Sequence, residues 1–329
     1  MATLYTITVD TEEEWKWSSG WPTQEYSLKN IAGLARFQQV CADFGARATY
    51  FTNHAVLDDT TACETMLALA ERSDTEIGMH IHPWNTPPLN GLPGGARESF
   101  LLNLPEPTIQ AKLQTVYDSF LRNNLRPTSF RGGRYSSGGA IHQFLRKHGF
   151  LADASVVPYT TWSDAGAPDY LNRDVYPVRL PPTVPGEKPL WEIPLTLGFT
   201  RRPFGLWSKF YNCVQSSGLN RLRLIGLAEK LGVVRKVWLN FENSLGEGLV
   251  QFLQLIRSMQ LPCVCFTLHS SSLIAGGNEY TPTATALERV YERVDQALKL
   301  LSGWNEFQPA TVSEVALHLE RLSNAHSRN

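Results

Sequence analysis

The stretch Leu4-Tyr-Thr-Ile-Thr-Val-Asp10-Thr-Glu12-Glu-Glu14 joins a β-branched, apolar run directly to a cluster of carboxylates. Residues 4–9 are therefore predicted to form a buried strand. Asp10 and Glu12 lie two residues apart, so an extended backbone turns both carboxylates to one side. Two such carboxylates can divide metal binding and proton transfer between them. The alternative is a helix N-terminus, where acidic residues interact favourably with the exposed backbone N–H groups.

Outside this stretch, strand-like and helical segments alternate along much of the chain. This order predicts an α/β fold with parallel strands and outer helices, as an open sheet or a barrel. In such folds the functional groups follow the carboxyl ends of the strands. Strands are predicted at 4–9, 47–52, 76–82, 128–130, 191–197, 237–241 and 262–269, helices at 27–44, 61–72, 108–125, 140–148, 248–259 and 284–301, and a final strand-turn-helix at 306–322.

Two segments depart from this alternation. Residues 157–190 are rich in proline and aromatic residues, which predicts a long ordered loop. Residues 199–236 are basic and aromatic, with a helical centre, and are interpreted as a helical insertion. In the alternative interpretation their basic residues, with Arg221 and Arg223 among them, make peripheral contact with a membrane surface or bind a pyrophosphate. No linker or internal repeat is visible, so residues 1–329 are predicted to form a single domain.

The composition indicates a sizeable core and no strong net charge. Hydrophobic residues make up 43% of the 329 residues, and 30 Lys and Arg balance 31 Asp and Glu. This balance gives no reason to expect nucleic acid as a partner. The first residues lack the pattern of a secretory leader, and no apolar run is long enough for a transmembrane segment. The five cysteines have neither disulfide nor zinc spacing, so a cytoplasmic location is expected.

Two histidines lie at the end of the third predicted strand, in Glu76-Ile-Gly-Met-His80-Ile-His82-Pro-Trp84. Their spacing of two residues turns both imidazoles to the same side of an extended chain. Two neutral imidazoles and one carboxylate form the ligand set of many catalytic zinc sites, which leaves a position open for water. The pattern predicts a divalent metal site, with zinc as the expected ion. The alternative for each histidine is a hydrogen-bonded core residue.

Two further polar groups lie at or directly after the ends of predicted strands. His269 ends the apolar run Cys-Val-Cys-Phe-Thr-Leu, where a histidine can act as a general acid or simply bond to the backbone. Arg131 and Arg134 lie in Phe-Arg-Gly-Gly-Arg-Tyr-Ser. A guanidinium stays charged and can hold a carboxylate in its ionised form. The glycines let the main chain approach a substrate closely, whereas an ordinary Gly-Gly turn is the alternative.

Together these motifs resemble the polysaccharide deacetylase family, the carbohydrate esterases with a NodB-type domain. The resemblance implies a distorted (β/α) barrel and a divalent metal bound by one acidic residue and two histidines. It extends over most of the chain, with residues 199–236 outside it. The matching segments are Thr8-Val-Asp-Thr-Glu12, Ala48-Thr-Tyr-Phe-Thr52, Glu76-Ile-Gly-Met-His80, Phe130-Arg-Gly-Gly-Arg-Tyr135, Gly149-Phe-Leu-Ala-Asp-Ala-Ser155, Trp191-Glu-Ile-Pro-Leu-Thr196 and Thr267-Leu-His269.

The resemblance also implies the metal ligands. His80 matches the first ligand histidine, and Glu12 falls where some relatives keep the acidic ligand. The common pattern places the second histidine four residues after the first, and that position is Trp84 here. His82 is therefore predicted to replace it. Asp10 as the acidic ligand in place of Glu12 stays an open alternative.

The catalytic roles follow from the same resemblance. Asp10 matches the catalytic base, Arg131 the arginine that positions it, and His269 the histidine that protonates the departing amine. Tyr135 matches the tyrosine whose backbone N–H helps to bind the oxyanion. Asp153 matches an acidic position that supports the catalytic groups, with a loop cap as the alternative.

Aromatic side chains in the predicted loops suit stacking on sugar rings. Trp84 and Arg134 are accordingly predicted to bind the substrate, together with Tyr135 and Asp153. The predicted function is removal of the N-acetyl group from an acetamido sugar, a precursor in bacterial surface-polysaccharide synthesis. The alternatives are another metal-dependent C–N hydrolase, acting on a small amide or ureide, and a sugar-binding protein that has lost catalysis. A base and an acid in one chain favour the enzyme, because binding alone needs neither.

Overall fold

The apolar stretch near the beginning of the chain forms a buried strand of a curved sheet in the computed structural model, which describes residues 2–89, 95–216, 224–242 and 247–326. The strands are β1 Thr3–Thr11, β2 Ala48–Thr52, β3 Thr75–Ile81, β4 Ser129–Gly132, β5 Ala152–Asp153, β6 Val178–Leu180, β7 Leu190–Glu192, β8 Leu197–Phe199, β9 Lys236–Trp238, β10 Cys263–His269 and β11 Phe307–Pro309. The α-helices are α1 Gly33–Asp43, α2 His54–Asp58, α3 Thr60–Ala70, α4 Glu106–Arg122, α5 Gly139–Lys147, α6 Phe204–Ser216, α7 Leu224–Lys230, α8 Glu247–Met259, α9 Ala284–Ser302 and α10 Val312–His326.

The main sheet has the strand order β10-β1-β2-β3-β4-β5-β7-β6, and β11 also pairs with β1. Its pairs are parallel, except that β6 runs antiparallel to β7. Helical crossovers join β1 to β2, β2 to β3, β3 to β4 and β4 to β5, as parallel neighbours require. The predicted α/β fold is confirmed, and the sheet curls into a distorted barrel.

Loop backbone, rather than a continuous strand ladder, joins the two sides of the barrel. Pro194 follows β7 and has no N–H with which to extend the pairing to β6. The chain then crosses to β10, where the Thr196 N–H donates to the Cys265 carbonyl at 3.1 Å. The single strand predicted at 191–197 is therefore wrong, because this crossing divides it into β7 and β8.

The first predicted helix also begins later than expected. Residues Lys29–Ala32 form a 3₁₀ turn, and α1 starts only at Gly33. The cause is Asn30, whose buried amide donates to the Glu12 carbonyl at 2.7 Å and to the Ser270 hydroxyl at 2.8 Å. These two bonds tie the start of the segment to the ends of β1 and β10.

The apolar core lies between the sheet and its helices. Phe37, Phe120 and Phe266 are fully buried in the larger cluster, and Val312 and Val315 belong to a smaller one beneath α10. Burial of such side chains typically contributes about 1.5–3 kcal/mol each. Among the described residues, no helix combines the length and apolar character needed to cross a membrane.

The two irregular segments have different structures. Residues 157–190 contain β6 and a 3₁₀ turn at Ser163–Ala165, with loops between them. Residues 199–236 connect the antiparallel strands β8 and β9 and contain α6 and α7. Arg221 and Arg223 lie outside the described residues.

Candidate metal and catalytic site

Polar side chains from the carboxyl ends of several strands meet at one edge of the barrel. The register pairs Asp10 with His269 across β1 and β10, and His80 with Arg131 across β3 and β4. The edge opens into a cleft of about 370 Å³, a size typical of small-molecule sites. Its lining residues are Asp10, Glu12, Trp15, Trp21, His80, His82, Trp84, Arg134, Tyr135, Trp162, Trp238, Asn240, His269 and Tyr280.

Glu12, His80 and His82 form a buried group that can hold a metal ion. Glu12 Oε2 lies 3.1 Å from His80 Nε2 and 2.9 Å from His82 Nε2, and the two Nε2 atoms are 3.1 Å apart. Ligands around a tetrahedral zinc ion, at bond lengths of about 2.0–2.1 Å, lie about 3.3 Å from one another. The spacing therefore suits a small divalent cation between the three atoms. Asp10 does not belong to this group.

The hydrogen bonds of the two Nδ1 atoms show how the rings of His80 and His82 are oriented. His80 Nδ1 lies 2.8 Å from the Arg131 carbonyl oxygen, and His82 Nδ1 lies 2.7 Å from Glu13 Oε1. Both oxygens only accept, so each Nδ1 carries a proton and donates it. In the neutral form of each ring, the Nε2 lone pair therefore faces Glu12. Three electron pairs converge on one point, an arrangement that a cation stabilises.

The electrostatics of the group also favour a positive charge. Burial opposes a charge on His82, but the carboxylates of Glu13 and Glu12 outweigh burial and raise its pKa to about 10. Burial likewise opposes ionisation of Glu12, yet the charge of His82 and hydrogen bonds from both histidines lower the pKa of Glu12. The site therefore holds a positive charge as a proton on His82 or as a metal ion that displaces this proton.

Glu13 is a functional residue that the sequence analysis missed. Its buried carboxylate accepts hydrogen bonds from His82 Nδ1, from Trp84 Nε1 at 3.2 Å and from the Asn53 amide. Carboxylates of this kind orient a metal-binding histidine and increase its basicity. The available signal is the run of three acids, in which Glu13 contacts His82 Nδ1 while Glu12 contacts His82 Nε2.

Trp84 lines the cleft, as a residue predicted to bind substrate should, and it also packs on a predicted ligand. Its ring stacks on His82 with centroids 4.1 Å apart and an angle of 24° between the planes. Together with the bond to Glu13, this contact fixes the plane of the His82 ring. The common family pattern has a ligand histidine at position 84. Here Trp84 occupies that position and packs on His82.

The Gly132-Gly133 pair allows close packing against the same histidine. A Cβ atom on Gly133 would lie 2.6 Å from His82 Cδ2, and one on Gly132 would lie 2.0 Å from the Ser136 carbonyl oxygen. Any side chain at these positions therefore displaces a ligand or the following turn. The sequence predicts that the main chain at these glycines approaches a substrate closely. In the structure, the main chain at Gly133 lies close to His82 of the protein itself.

Arg131 lies behind the cleft and binds Asp10, as predicted. Arg131 Nη1 donates to Asp10 Oδ1 at 2.6 Å, while Nε donates to the Ala154 carbonyl at 3.0 Å. The guanidinium is fully buried and lies 4.4 Å from the centre of the Phe51 ring. Burial opposes its charge, but the Asp10 carboxylate raises the pKa of Arg131. Asp10 is thus held in one orientation, with its carboxylate in the cleft lining.

His269 is paired with Glu242, a second functional residue that the sequence analysis missed. His269 Nδ1 lies 2.9 and 3.0 Å from the two carboxylate oxygens, and the His269 backbone N–H donates to Oε1 at 2.8 Å. Burial opposes a charge on His269, but Glu242 outweighs it and raises the pKa of His269 to about 10. The imidazole is therefore protonated at neutral pH and can donate a proton. The available signal is the position of Glu242 directly after a predicted strand.

Tyr135 and Arg134 lie in a strained turn at the cleft wall. Their φ angles are +61° and +49°, and such backbone costs on the order of 1–3 kcal/mol per residue. The Tyr170 hydroxyl stabilises the turn by donating to the Tyr135 carbonyl at 2.7 Å. The Arg134 guanidinium lies 3.7 Å from the centre of the Phe100 ring and donates to the Ala96 carbonyl at 3.2 Å. Both predicted substrate-binding residues thus line the cleft in fixed positions.

Asp153 lies outside the cleft lining and is fully buried. Its carboxylate accepts a hydrogen bond from the Ser155 N–H at 3.0 Å and lies 3.0 Å from His142 Nε2. The Ser155 hydroxyl accepts in turn from the Gly132 N–H at 2.9 Å. Asp153 is therefore bonded through Ser155 to the turn that precedes Tyr135 and does not reach the cleft, where the prediction of substrate binding would place it.

Lys112 stabilises the loop that follows the two histidines. Its buried ammonium donates to the carbonyls of Pro83 and Pro88, both at 2.8 Å, and to the carbonyl of Thr86. Burial lowers the pKa of Lys112 to about 8. These bonds hold the loop that contains Trp84.

Replacing Lys112 with methionine is expected to lower the free energy of unfolding. Each buried carbonyl left without a donor costs about 1–3 kcal/mol, so a loss of at least about 2 kcal/mol is predicted. Denaturant unfolding of the apo protein measures this change. The control is Lys147→Met, an exposed residue at the end of α5, for which a change within about 0.5 kcal/mol is expected. Equal stability of the two variants would show that the loop does not depend on Lys112.

Comparison with solved structures identifies the fold. A protein assigned as a polysaccharide deacetylase from Mycobacterium smegmatis aligns with a TM-score of 0.57 and 15% identity, over 98% of this chain and 92% of its own. A second one, from Pseudomonas aeruginosa PAO1, aligns with a TM-score of 0.52 and 14% identity, over 97% of this chain and 91% of its own. No family model and no curated protein sequence matches the chain. The resemblance seen in the sequence is thus confirmed at the level of the fold.

The same fold also occurs in an enzyme of different chemistry. The 4-α-glucanotransferase from Thermococcus litoralis aligns with a TM-score of 0.54 and 10% identity, over 95% of this chain and 40% of that enzyme. Identities this low establish architecture alone, because one fold supports unrelated activities. The activity of this chain therefore has to be argued from its own side chains.

Proposed function

We propose that this chain is a metal-dependent hydrolase that removes the acetyl group from the amine of an N-acetylated sugar. The observation that carries the proposal is that three sets of polar residues meet at one cleft lined by aromatic side chains. They are the Glu12-His80-His82 group, the Asp10–Arg131 pair and the His269–Glu242 pair. Such a set supplies a metal site, a base and an acid, which hydrolysis requires and sugar binding does not.

Glu12, His80 and His82 are the residues that would hold the metal, and zinc is the expected ion. When bound, the metal supplies a Lewis acid that polarises the acyl oxygen and lowers the pKa of a water molecule. Asp10 accepts the proton of the attacking water. Arg131 orients Asp10 for this transfer, because its Nη1 donates to Oδ1.

The remaining steps use two other residues of the cleft lining, Tyr135 and His269. The backbone N–H of Tyr135 stabilises the negative charge that develops on the acyl oxygen. The positive φ angles of Arg134 and Tyr135 support this role, because such strained backbone is concentrated at functional sites. His269, protonated because of Glu242, gives its proton to the amine nitrogen as the C–N bond breaks. The products are acetate and a free amino sugar.

The cleft wall supports a sugar as the substrate. Trp15, Trp21, Trp162 and Trp238 line it together with Tyr135, and aromatic rings suit the apolar faces of pyranose rings. We propose an acetamido sugar or glycan precursor of bacterial surface-polysaccharide synthesis. All five cysteines are free, which suits a reducing compartment such as the cytoplasm.

A substrate panel tests this proposal against the other C–N hydrolases. The zinc-loaded protein is incubated with N-acetylated sugars, nucleotide-linked N-acetylated sugars, simple acetamides and a ureide, and acetate and ammonia are measured. Acetate release from the sugars, well above that from simple acetamides, is the expected result. Faster turnover of the ureide or of simple amides would instead make the chain another metal-dependent amide hydrolase.

The Glu242→Gln variant is expected to change the pH dependence of the reaction. A general acid works while it is protonated, so native activity extends towards the His269 pKa of about 10 before it is lost with rising pH. Without the carboxylate, that pKa falls towards the ordinary value of about 6.5. The alkaline limb of kcat/KM should therefore move to lower pH, unlike in the exposed control Glu64→Gln. An unmoved alkaline limb would exclude His269 as the acid.

A further inference from the structure

Half of the large exposed hydrophobic side chains in the described parts of the chain lie in the segment between β8 and β9. They are Leu206 at 59% exposure, Phe210 at 37%, Leu227 at 52%, Leu231 at 68% and Val233 at 38%. We call these five residues the apolar outer face. They lie on α6, on α7 and directly after α7, two helices that contact each other, and exposed apolar groups that cluster mark sites of interaction with a protein or a membrane.

The opposite side of the same segment is already packed. Phe204, Tyr211 and Val234 are buried in the main core. The Tyr211 hydroxyl lies 3.2 Å from both Glu229 Oε1 and the Val234 carbonyl oxygen, either of which can accept its proton, and so joins α6 to the end of α7. Leu206 and Phe210 lie one turn apart on the exposed side of α6. The apolar outer face is therefore an additional surface and is not the packing face of the helices.

The charges beside this face are almost all positive. Arg201, Arg202, Lys209, Lys230 and Arg235 are exposed. In the described ranges 201–216 and 224–235, the one acidic residue is Glu229, which is bonded to Tyr211. The whole chain carries a net charge of only −1, so this excess of basic residues is local.

We propose that the apolar outer face docks on the surface of an anionic lipid membrane. Exposed leucine and phenylalanine side chains flanked by lysine and arginine are the combination that inserts among acyl chains while binding acidic headgroups. A second copy of the chain would bring the same positive charges together, which opposes self-association. Nucleic acid would use the basic residues and leave the apolar ones without a partner.

The position of the segment relates this docking to the cleft. The apolar outer face precedes β9, whose last residue, Trp238, lines the cleft. Lys236 in β9 donates to the Tyr159 carbonyl at 2.7 Å and fixes the strand to the neighbouring loop. Val233 of the apolar outer face therefore lies five residues before a residue of the cleft lining. The docking itself does not depend on the proposed hydrolase activity.

Vesicle co-sedimentation of the full chain tests the proposal. Vesicles of phosphatidylcholine alone are compared with vesicles that also contain phosphatidylglycerol. We expect binding to the anionic vesicles to be at least roughly tenfold tighter and to weaken as salt is added. The double variant Leu206→Ser with Phe210→Ser, and separately Arg202→Glu with Lys209→Glu, should each lose roughly tenfold or more in binding.

Matched controls lie on other helices. Leu317 on α10 is 48% exposed, and Lys299 on α9 is exposed, so Leu317→Ser with Lys299→Glu should bind like the native chain. Circular dichroism establishes that each variant is folded. Equal binding by the control and the two test variants would overturn the proposal, as would no binding by the native chain. Light scattering that shows a dimer lost in the Leu206/Phe210 variant would assign the face to a second copy instead.

Discussion

Substitution of His80 or His82 by alanine is expected to abolish stoichiometric metal binding. Each change removes one of the three protein ligands, whose atoms lie only 2.9–3.1 Å apart. Loss of a supporting residue around a metal ligand typically costs 10–100-fold in affinity, so loss of a ligand itself should cost at least roughly 100-fold. Elemental analysis after dialysis, followed by competition with a chelating dye, measures both the stoichiometry and the affinity.

The controls for this prediction separate ligands from their neighbours. His318 lies on α10 and does not line the cleft, so the His318→Ala variant should retain the metal. Glu13→Gln keeps all three ligands but weakens the hold on His82, so an intermediate loss of roughly 10–100-fold is expected. Metal retained at full affinity in His82→Ala would show that the third ligand lies elsewhere.

The Asp10→Asn variant is expected to lose nearly all turnover while it keeps its metal. Removal of a group that transfers a proton costs roughly 10²–10⁴-fold in rate. The amide is nearly isosteric and its oxygen can still accept from Arg131, which donates to Asp10 at 2.6 Å. The fold and the substrate affinity should therefore change little, and the loss should appear in kcat. Asp43→Asn, on the exposed side of α1, is the matched control.

The metal content of the Asp10 variant also distinguishes the two candidate acidic ligands. Glu12 is the carboxylate beside both Nε2 atoms, and Asp10 is the one bound to Arg131. If Asp10→Asn loses the metal and Glu12→Gln keeps it, Asp10 is the ligand and the base has to be sought elsewhere. Ordinary turnover by Asp10→Asn would remove Asp10 from the mechanism altogether.

Much of the candidate site follows from the geometry of strands. Residues two apart share a side, so the spacing of Asp10 with Glu12, and of His80 with His82, already indicates convergent groups. Parallel strands end at one edge, which brings the residues after β1, β3, β4 and β10 together. These rules need only local sequence, and the corresponding side chains do meet in one cleft.

Other parts of the site depend on contacts that local sequence does not contain. Glu13 and Glu242 acquire their importance from the histidines they bond to, which lie 69 and 27 residues away along the chain. Lys112 is a mid-helix lysine in sequence, and only the loop folded over it shows why it is buried. The crossing after Pro194 is likewise set by β10, whose edge accepts the Thr196 N–H.

Acetate release from N-acetylated sugars, with and without zinc, tests the central claim most directly. The protein is stripped with a chelator, assayed, and assayed again after one equivalent of zinc is restored. We predict no release above background from the stripped protein, restoration by zinc, and no restoration in His80→Ala. Release that is unaffected by the chelator, or a zinc-loaded protein that releases no acetate from any sugar in the panel, would contradict the assignment as a metal-dependent N-deacetylase.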